Sequence, residues 1–426
     1  MLRLYTPPYG SDHCTYGFMN GPKDALVNRL SDCLNIANYS SMHALPAAVW
    51  ELESLAHLSL TKLPALEVFP DMSLMQHMKT LVLHNLQGLT GITVAMASPP
   101  QLVRVQIKMC FQMKTIDTAF IDAVSSRKFF KFLSWGDCPI FLNPDMRKLV
   151  HVEGLQLHTT CALTRNVFDF SGMHSLGSLH LSDMEYVVEV PESLWGLTGL
   201  EHLALRNMPL RRISPGIGAL VNLEVLWLNE LSIMGLPSEL GNLVKLVQFT
   251  MQLCIFCLSL PVEALVGMVS LKELAIEWMK CPGDFAQWYG SEGYSPEDTQ
   301  GVMVFTQICT ALPHMRALET LTLRNMVEPL DIEVVAETLR SPTPSLRQIH
   351  VQSHVLERMA AAMYEQPTWR LLNSKNHLAH WRNEQDKVLA FVTGLDGRLG
   401  KASCVYVLNR DTARSVGRTV FSWGVF

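Results

Sequence analysis

The sequence predicts an α/β solenoid in which one short β-strand recurs about every 23–24 residues. Three observations predict this class. A nine-residue frame with apolar residues at places 1, 4, 6 and 9 recurs along most of the chain, the copies lie at near-constant spacing, and a proline often precedes the next copy. Two adjacent copies show the frame directly, since apolar residues of the first recur 23 residues later in the second: Leu200, Leu203, Leu205 and Met208 correspond to Leu223, Leu226, Leu228 and Leu231.

This frame, L-x-x-L-x-L-x-x-φ, resembles the leucine-rich repeat family. The variant that it is most similar to is the 23–24 residue type LPxxLxxLxxLxxLxL, as in intracellular and plant-resistance-like proteins. The resemblance implies a curved parallel sheet on a concave face, short helical or 3-10 turns on a convex face, and a protein-binding role.

Twelve clear copies of the frame follow one another, and a degenerate copy precedes them at Leu34 and Ile36. The clear copies begin at these residues: Leu55, Met78, Leu102, Phe130, Val152, Leu176, Leu200, Leu223, Leu246, Leu271, Leu318 and Leu346. Because a strand alternates between two faces, places 4 and 6 should point inward and places 3, 5 and 7 outward. Stacked coils then bury the leucines that a single coil cannot hide.

Two features of the connections modify this prediction. Leu-Pro pairs such as Leu236-Pro237 precede P-x-x-L-x-x-L segments, which predict one helical or 3-10 turn. Place 9 is asparagine or cysteine in the family, but here it is cysteine, methionine or leucine, as at Cys110, Cys138 and Met208. Since an asparagine ladder would satisfy buried backbone groups, its absence predicts less regular bends.

The breaks in spacing define the predicted domains. Residues 1–30 form an N-terminal cap, 31–354 form the solenoid, and 355–426 form a C-terminal cap or a small α+β tail. A 47-residue gap after Leu271 predicts a loop inserted at about 281–301, although a decayed repeat would give the same excess length.

Composition excludes several classes of function. The apolar fraction of 48% and charged fraction of 17% indicate a globular chain, and a net charge of −5 gives no support for nucleic-acid binding. No run of residues is apolar enough to span a membrane, and no signal segment begins the chain. We therefore expect a cytoplasmic monomer; the alternative is part of a membrane-anchored or secreted protein, if the chain is an N-terminally incomplete fragment.

The candidate chemical motifs favour packing over catalysis. Cys254-x-x-Cys257 has no second pair to complete a zinc site, and His377-x-x-His380 has no accompanying carboxylates. The glycines between Gly394 and Lys401 miss the phosphate-loop spacing. The sequence predicts no catalytic residues, no cofactor and no metal site, and hence a protein that is not an enzyme.

The predicted partner surface is the concave face. Its middle is polar, rich in histidine and nearly free of acids, and Trp227 stands in it as a large aromatic residue of the kind enriched at interfaces. The predicted partner-binding residues are Arg104, Lys108, His158, His180, His202, Arg206, Trp227, Gln248 and Gln252 on this face, and Trp288 and Tyr289 in the insertion.

Three functions fit these observations. The first is a non-catalytic scaffold or recognition module that binds a protein or peptide on the concave face. The second is a regulatory or targeting subunit whose C-terminal module docks an enzyme. The third is the recognition fragment of a larger immune-type or signalling receptor. A chain ending at residue 354 separates the first two, because only the second needs residues 355–426 for binding.

Overall fold

The computed structural model describes these residues: 16–17, 32–50, 52–69, 71–138, 144–158, 169–184, 186–254, 260–277, 307–324, 345, 348–351, 371–372, 388–394 and 403–409. They form two compact units, unit 1 (1–209) and unit 2 (210–426). Each unit is built on parallel strands at the predicted repeat positions, joined by short helical turns. The predicted leucine-rich repeat solenoid is confirmed.

In unit 1, one parallel ladder joins successive coils, and β5 and β7 form a separate parallel pair. Its strands are β1 (Tyr16–Gly17), β2 (Cys33–Ala37), β3 (His57–Thr61), β4 (Thr80–His84), β5 (Gly91–Ile92), β6 (Arg104–Lys108), β7 (Thr115–Ile116), β8 (Phe132–Gly136), β9 (Gly154–His158), β10 (Ser178–Ser182) and β11 (His202–Met208).

Unit 2 has its own parallel ladder from β12 to β16 and then to β19, whereas β18 pairs antiparallel with both β17 and β19. The strands are β12 (Val225–Leu231), β13 (Gln248–Gln252), β14 (Glu273–Glu277), β15 (Thr320–Arg324), β16 (Gln348–Val351), β17 (Leu371–Leu372), β18 (Val388–Gly394) and β19 (Ser403–Asn409).

The inward places of the frame form the core in both units. Leu203 and Leu205 of β11 are 1% and 0% exposed, and Leu226 and Leu228 of β12 are both 0% exposed. Burial of each such side chain contributes about 1.5–3 kcal/mol. The pairings between repeat strands keep equal places opposite each other, so apolar side chains stack from coil to coil, with leucine on leucine between β3 and β4 and between β10 and β11.

The bends after the strands are regular in the described coils. Place 8 has a left-handed backbone, with φ between 47° and 65°, even where it holds Met109 or Leu253. Its N–H donates to the carbonyl of place 7 in the next coil, as from Asn85 to Lys108 at 2.9 Å. The expected loss of regularity at these bends is therefore wrong.

Cysteine thiols at place 9 make some of the backbone hydrogen bonds that asparagine side chains would otherwise make there. The N–H of Leu86 donates to Cys110 Sγ at 3.5 Å, and the N–H of Cys110 donates to Cys138 Sγ at 3.4 Å. Cys138 Sγ in turn donates to the Gly136 carbonyl at 3.1 Å. The hydrogen bond with Cys110 and burial raise the pKa of the Cys138 thiol, which keeps it protonated as a donor.

The opposite side of most described coils carries the predicted short helical turns, although the described residues between β3 and β4 form none. Pro191, Pro237 and Pro261 are the N-cap residues of three of them. The helices are α1 (Ala47–Trp50), α2 (Thr118–Ser125) and α3 (Val262–Gly267), and the 3-10 turns are η1 (Val94–Ala97), η2 (Pro144–Lys148), η3 (Glu192–Gly196), η4 (Pro215–Ala219), η5 (Ser238–Asn242) and η6 (Leu312–His314). We call this side of the coils the helical side.

The predicted domain limits stay predictions. The insertion at 281–301 and nearly all of residues 1–30 lie outside the described residues. Strands β17–β19 fall within the predicted C-terminal segment 355–426, and β19 extends the ladder at β16.

Glycine at the end of a helical turn sets how closely two coils approach in unit 2. A Cβ on Gly267 would lie 2.5 Å from the carbonyl oxygen and 2.6 Å from the Cα of Gly241, whereas a Cβ on Gly196 would meet nothing within 4 Å. We expect Gly267→Ala to lower the free energy of unfolding by about 1–3 kcal/mol through overpacking. Gly196→Ala, also at the end of a turn, should be neutral or stabilising by up to about 1 kcal/mol. Urea unfolding of both variants measures this, and equal midpoints would contradict it.

Candidate functional site

The outward places 3, 5 and 7 of the strands form one surface in each unit, which we call the strand face; some of its side chains, such as Arg104, are exposed, and others, such as Ser134 and Ser182, are buried. In unit 1, these places hold no aspartate or glutamate in any strand of the ladder from β2 to β11. They do hold several basic side chains: Arg104, Lys108 and Arg206, with the histidines His57, His84, His158, His180 and His202. This surface of unit 1 is therefore basic by residue type.

Place 7 holds more of these basic side chains than place 3 or place 5 does. Strand register aligns His84 with Lys108, and Lys108 with Gly136. It also aligns His158 with Ser182, and Ser182 with Arg206. At about 4.8 Å between strands, the row from β4 to β11 spans roughly 24 Å.

His158 is the most constrained side chain of the row. Its Nδ1 is hydrogen-bonded to Ser182 Oγ. Its ring meets the His180 ring edge to face, with 4.8 Å between centroids and 68° between planes. A Cβ on Gly136 would lie 3.4–3.6 Å from three His158 atoms, which is ordinary van der Waals contact. His158 and His180 thus form a fixed pair.

The surroundings keep this pair neutral at neutral pH. Burial, followed by the neighbouring charges of His158 and Arg206, lowers the pKa of His180 to about 4, against a smaller opposing effect of Asp183. Burial and Lys108 lower the pKa of His158. Burial and Lys108 also lower the pKa of His84, whose Nε2 lies 3.2 Å from Met109 Sδ. The lasting positive charge of this region therefore comes from lysine and arginine.

Arg104 is positioned by an aromatic ring. Its guanidinium carbon lies 4.3 Å from the centroid of the Phe132 ring, which is a cation–π geometry. The ring has space because a Cβ on Gly154 would come within 2.6 Å of Phe132 Cδ2. Arg104 itself is exposed.

Two acidic side chains near the place 7 row lie at the bends, outside the three outward places. Asp137 and Asp183 both occupy place 8, where the backbone is left-handed. Asp183 Oδ1 accepts a hydrogen bond from Asn207 Nδ2 at 2.8 Å. These carboxylates border the basic surface without interrupting it.

The strand face of unit 2 differs in character. Trp227 is 40% exposed, and Thr250, which is opposite it in register, is only 8% exposed. Gln248 and Gln252 are half-buried. Two strands after β12, Glu273 and Glu277 at places 3 and 7 of β14 bring negative charge onto this face.

The structure places the predicted residues as follows. Lys108, His202 and Arg206 are exposed like Arg104, and Trp288 and Tyr289 lie outside the described residues. A binding role for any of them stays a prediction. Sequence reasoning missed Phe132, His84 and Ser182, although counting places 3 and 7 in every copy would have found them.

Two further sequence expectations can be located. Cys254 is buried at place 9, where its Sγ donates to the Leu228 carbonyl at 3.2 Å, while Cys257 is outside the described residues. Across the described residues, the structure holds no helix that is both long and apolar enough to cross a membrane.

Comparison with known proteins gives distant structural likenesses. No protein family model matches the chain, and no curated protein matches it. The InlF internalin of Listeria monocytogenes is 12% identical with a TM-score of 0.41, covering 75% of this chain and 80% of that one. The functional domain of Listeria monocytogenes InlJ is 11% identical with a TM-score of 0.42, covering 88% and 80%. The plant peptide hormone receptor RGFR1, in complex with RGF2, is 14% identical with a TM-score of 0.40, covering 78% and 58%. At these values the likenesses carry no argument about function.

The neutral state of His180 predicts a pH-dependent stability. The unfolded pKa of histidine is about 6.5, and the folded pKa of His180 is about 4. The unfolded chain therefore binds the proton first, and the contribution of His180 is present above pH ~6.5 and is lost as the pH falls toward 4.

We expect His180→Gln to flatten the fall of the melting temperature between pH 6.5 and 4.5. The difference should correspond to about 1 kcal/mol, allowing for solvent screening of a half-buried ring. Arg206→Gln should flatten this fall less, since Arg206 is only one of several causes of the lowered pKa of His180. Parallel profiles for the wild type and His180→Gln would contradict this account.

Proposed function

We propose that the chain is a non-catalytic recognition module that binds a protein or peptide partner on its strand face. The observation that supports this is the strand face of unit 1, where basic side chains occupy a surface with no acid at its outward places. Such a surface favours a partner of opposite charge and speeds its encounter.

The partner chemistry that fits unit 1 is an acidic segment of protein. Arg104, Lys108 and Arg206 supply fixed positive charge, and the neutral His158–His180 pair supplies hydrogen-bonding edges and ring surface. An extended segment rises about 3.3 Å per residue, so roughly seven residues would cover the place 7 row. Arginine in this role also offers bidentate contacts to carboxylates.

Trp227 is the proposed contact residue of unit 2, together with Gln248 and Gln252. Tryptophan is enriched among residues that dominate binding energy. Because Glu273 and Glu277 lie on the same strand face of unit 2, that end of the surface would repel an acidic segment. We therefore assign the acidic segment to unit 1 and a less charged contact to Trp227.

The pairing of His158 with Ser182 supports recognition over catalysis. A serine with its Oγ bonded to an imidazole resembles a nucleophile and its base. Ser182 is 1% exposed, however, so a substrate has no access to its oxygen. We propose that this pair orients the His158 ring for binding.

The remaining predictions complete the proposal. We propose a repeat of the 23–24 residue type, a solenoid over residues 31–354 between two terminal caps, and a monomer that recognises its partner in signalling. A reducing, cytoplasmic location is supported by Cys110 and Cys138, which are buried thiols outside any disulfide.

Charge-removing substitutions test the proposed surface. Partners are first captured from native lysate with the wild-type chain, and their affinities are then measured for Lys108→Ala/Arg206→Ala and for Trp227→Ala. We expect the double variant to weaken binding at least about tenfold, or 1.4 kcal/mol, and to reduce its salt dependence.

Lys114→Ala/Lys128→Ala is the matched control, since both lysines are exposed outside the strands of the ladder and the net charge changes equally. It should retain the wild-type affinity. The proposal is wrong if both double variants lose affinity equally, or if Lys108→Ala/Arg206→Ala and Trp227→Ala both stay within a factor of two of the wild type.

A further inference from the structure

Three different metal-ligating side chains meet at the start of strands β2 and β3. They are the Asp32 carboxylate, the Cys33 thiol and the His57 imidazole, and one ligand atom from each lies within 4.8 Å of the other two. Cys33 Sγ donates to Asp32 Oδ1 at 3.4 Å. None of the three lies in the place 7 row or is a residue assigned to the acidic segment, although His57 is at place 3 of the same strand face.

The backbone holds these side chains in place. Cys33 and His57 are both at place 3 and are aligned by the parallel register of β2 and β3. The Asp32 carbonyl accepts the N–H groups of both Ala56 and His57, at 2.7 and 2.8 Å. These hydrogen bonds hold Asp32 and Cys33, which are adjacent in sequence, beside His57 of the next coil.

The same backbone frame recurs along unit 1 without the same chemistry. The Glu153 carbonyl, for example, accepts the N–H groups of Gly177 and Ser178, both at 2.9 Å. The residues there that correspond to Asp32, Cys33 and His57 are Glu153, Gly154 and Ser178. Of these, only Glu153 has a side chain that commonly ligates a metal. Among the described coils of unit 1, the first set alone carries three metal-ligating side chains. The repeat therefore explains the geometry of the cluster but not its residue types.

These groups suit zinc. Thiolate, imidazole and carboxylate are the three side-chain ligands that Zn²⁺ takes, and zinc sites with three protein ligands complete a tetrahedron with water. A Zn–S bond of about 2.3 Å and a Zn–O bond of about 2.0 Å at a tetrahedral angle give a sulfur–oxygen separation of about 3.5 Å. The separation of Cys33 Sγ and Asp32 Oδ1 is already 3.4 Å. One thiolate and one carboxylate would also balance the double charge of the ion.

We propose that Asp32, Cys33 and His57 bind a zinc ion that joins the coils of β2 and β3. On binding, the Cys33 thiol releases its proton to solvent, sulfur and His57 nitrogen each donate a lone pair to the ion, and no redox change occurs. The ion replaces the hydrogen bond between Cys33 and Asp32 with two bonds to one centre.

The test uses the full chain, kept reduced, with zinc or cobalt chloride as the only added ligand. Competition against a chromophoric chelator measures zinc affinity. Cobalt substitution gives the absorption bands of tetrahedral coordination and a thiolate-to-cobalt charge-transfer band. We expect one strongly bound zinc per chain, both spectral signatures, and a rise in melting temperature with zinc.

Cys33→Ser should remove the charge-transfer band, and His57→Gln should weaken zinc binding by more than the roughly 10–100-fold that loss of an outer-shell partner costs. His202→Gln is the matched control, because His202 also occupies place 3 of a strand and is not in the cluster. Circular dichroism confirms that each variant is folded. Absence of zinc binding by the wild type overturns the proposal, as does undiminished binding by folded Cys33→Ser and His57→Gln.

Discussion

Register between parallel strands is the constraint on which the rest of this structure depends. Each coil offers two inward apolar side chains, most often leucines, at places 4 and 6, and they are covered only if the next coil presents its own apolar side chains opposite them. A slip of one residue would turn the apolar set outward and the polar set inward, so register is strongly specified. Once it is set, places 3, 5 and 7 must form columns of side chains outside the leucine core. The candidate recognition surface is thus a consequence of how the core is buried.

Neighbouring coils adapt to each other within these columns. Gly154 has no side chain where the Phe132 ring needs room, so this ring packs sideways across the strand face. The rings on this face then determine what the surface offers a partner. Phe132 lies beneath the Arg104 guanidinium, and burial lowers the pKa of both His158 and His180. Small residues at outward places therefore help to determine the recognition surface, as the charged residues beside them do.

The repeat frame was sufficient to predict the parallel ladder, the inward leucines and the helical turns after proline, because each depends on local periodicity. It also identified Arg104, Lys108 and Arg206 as outward residues. It did not predict that cysteine sulfur would accept the N–H of Leu86, because that contact joins two coils. The same reason applies to the His158–Ser182 bond and to the approach of Asp32 and Cys33 to His57. Contacts between coils need both register and side-chain rotamers, which a single frame does not contain.

Hydroxyl-radical footprinting with a bound partner tests the central claim most directly, namely that the strand face makes the contact. Side chains on this face, such as His202 and Trp227, are compared with exposed side chains outside the strands, such as Phe129 and Tyr186. The account predicts that partner binding slows the labelling of His202 and Trp227 while Phe129 and Tyr186 react as in the free chain. Protection of Phe129 and Tyr186, with His202 and Trp227 unchanged, would contradict it.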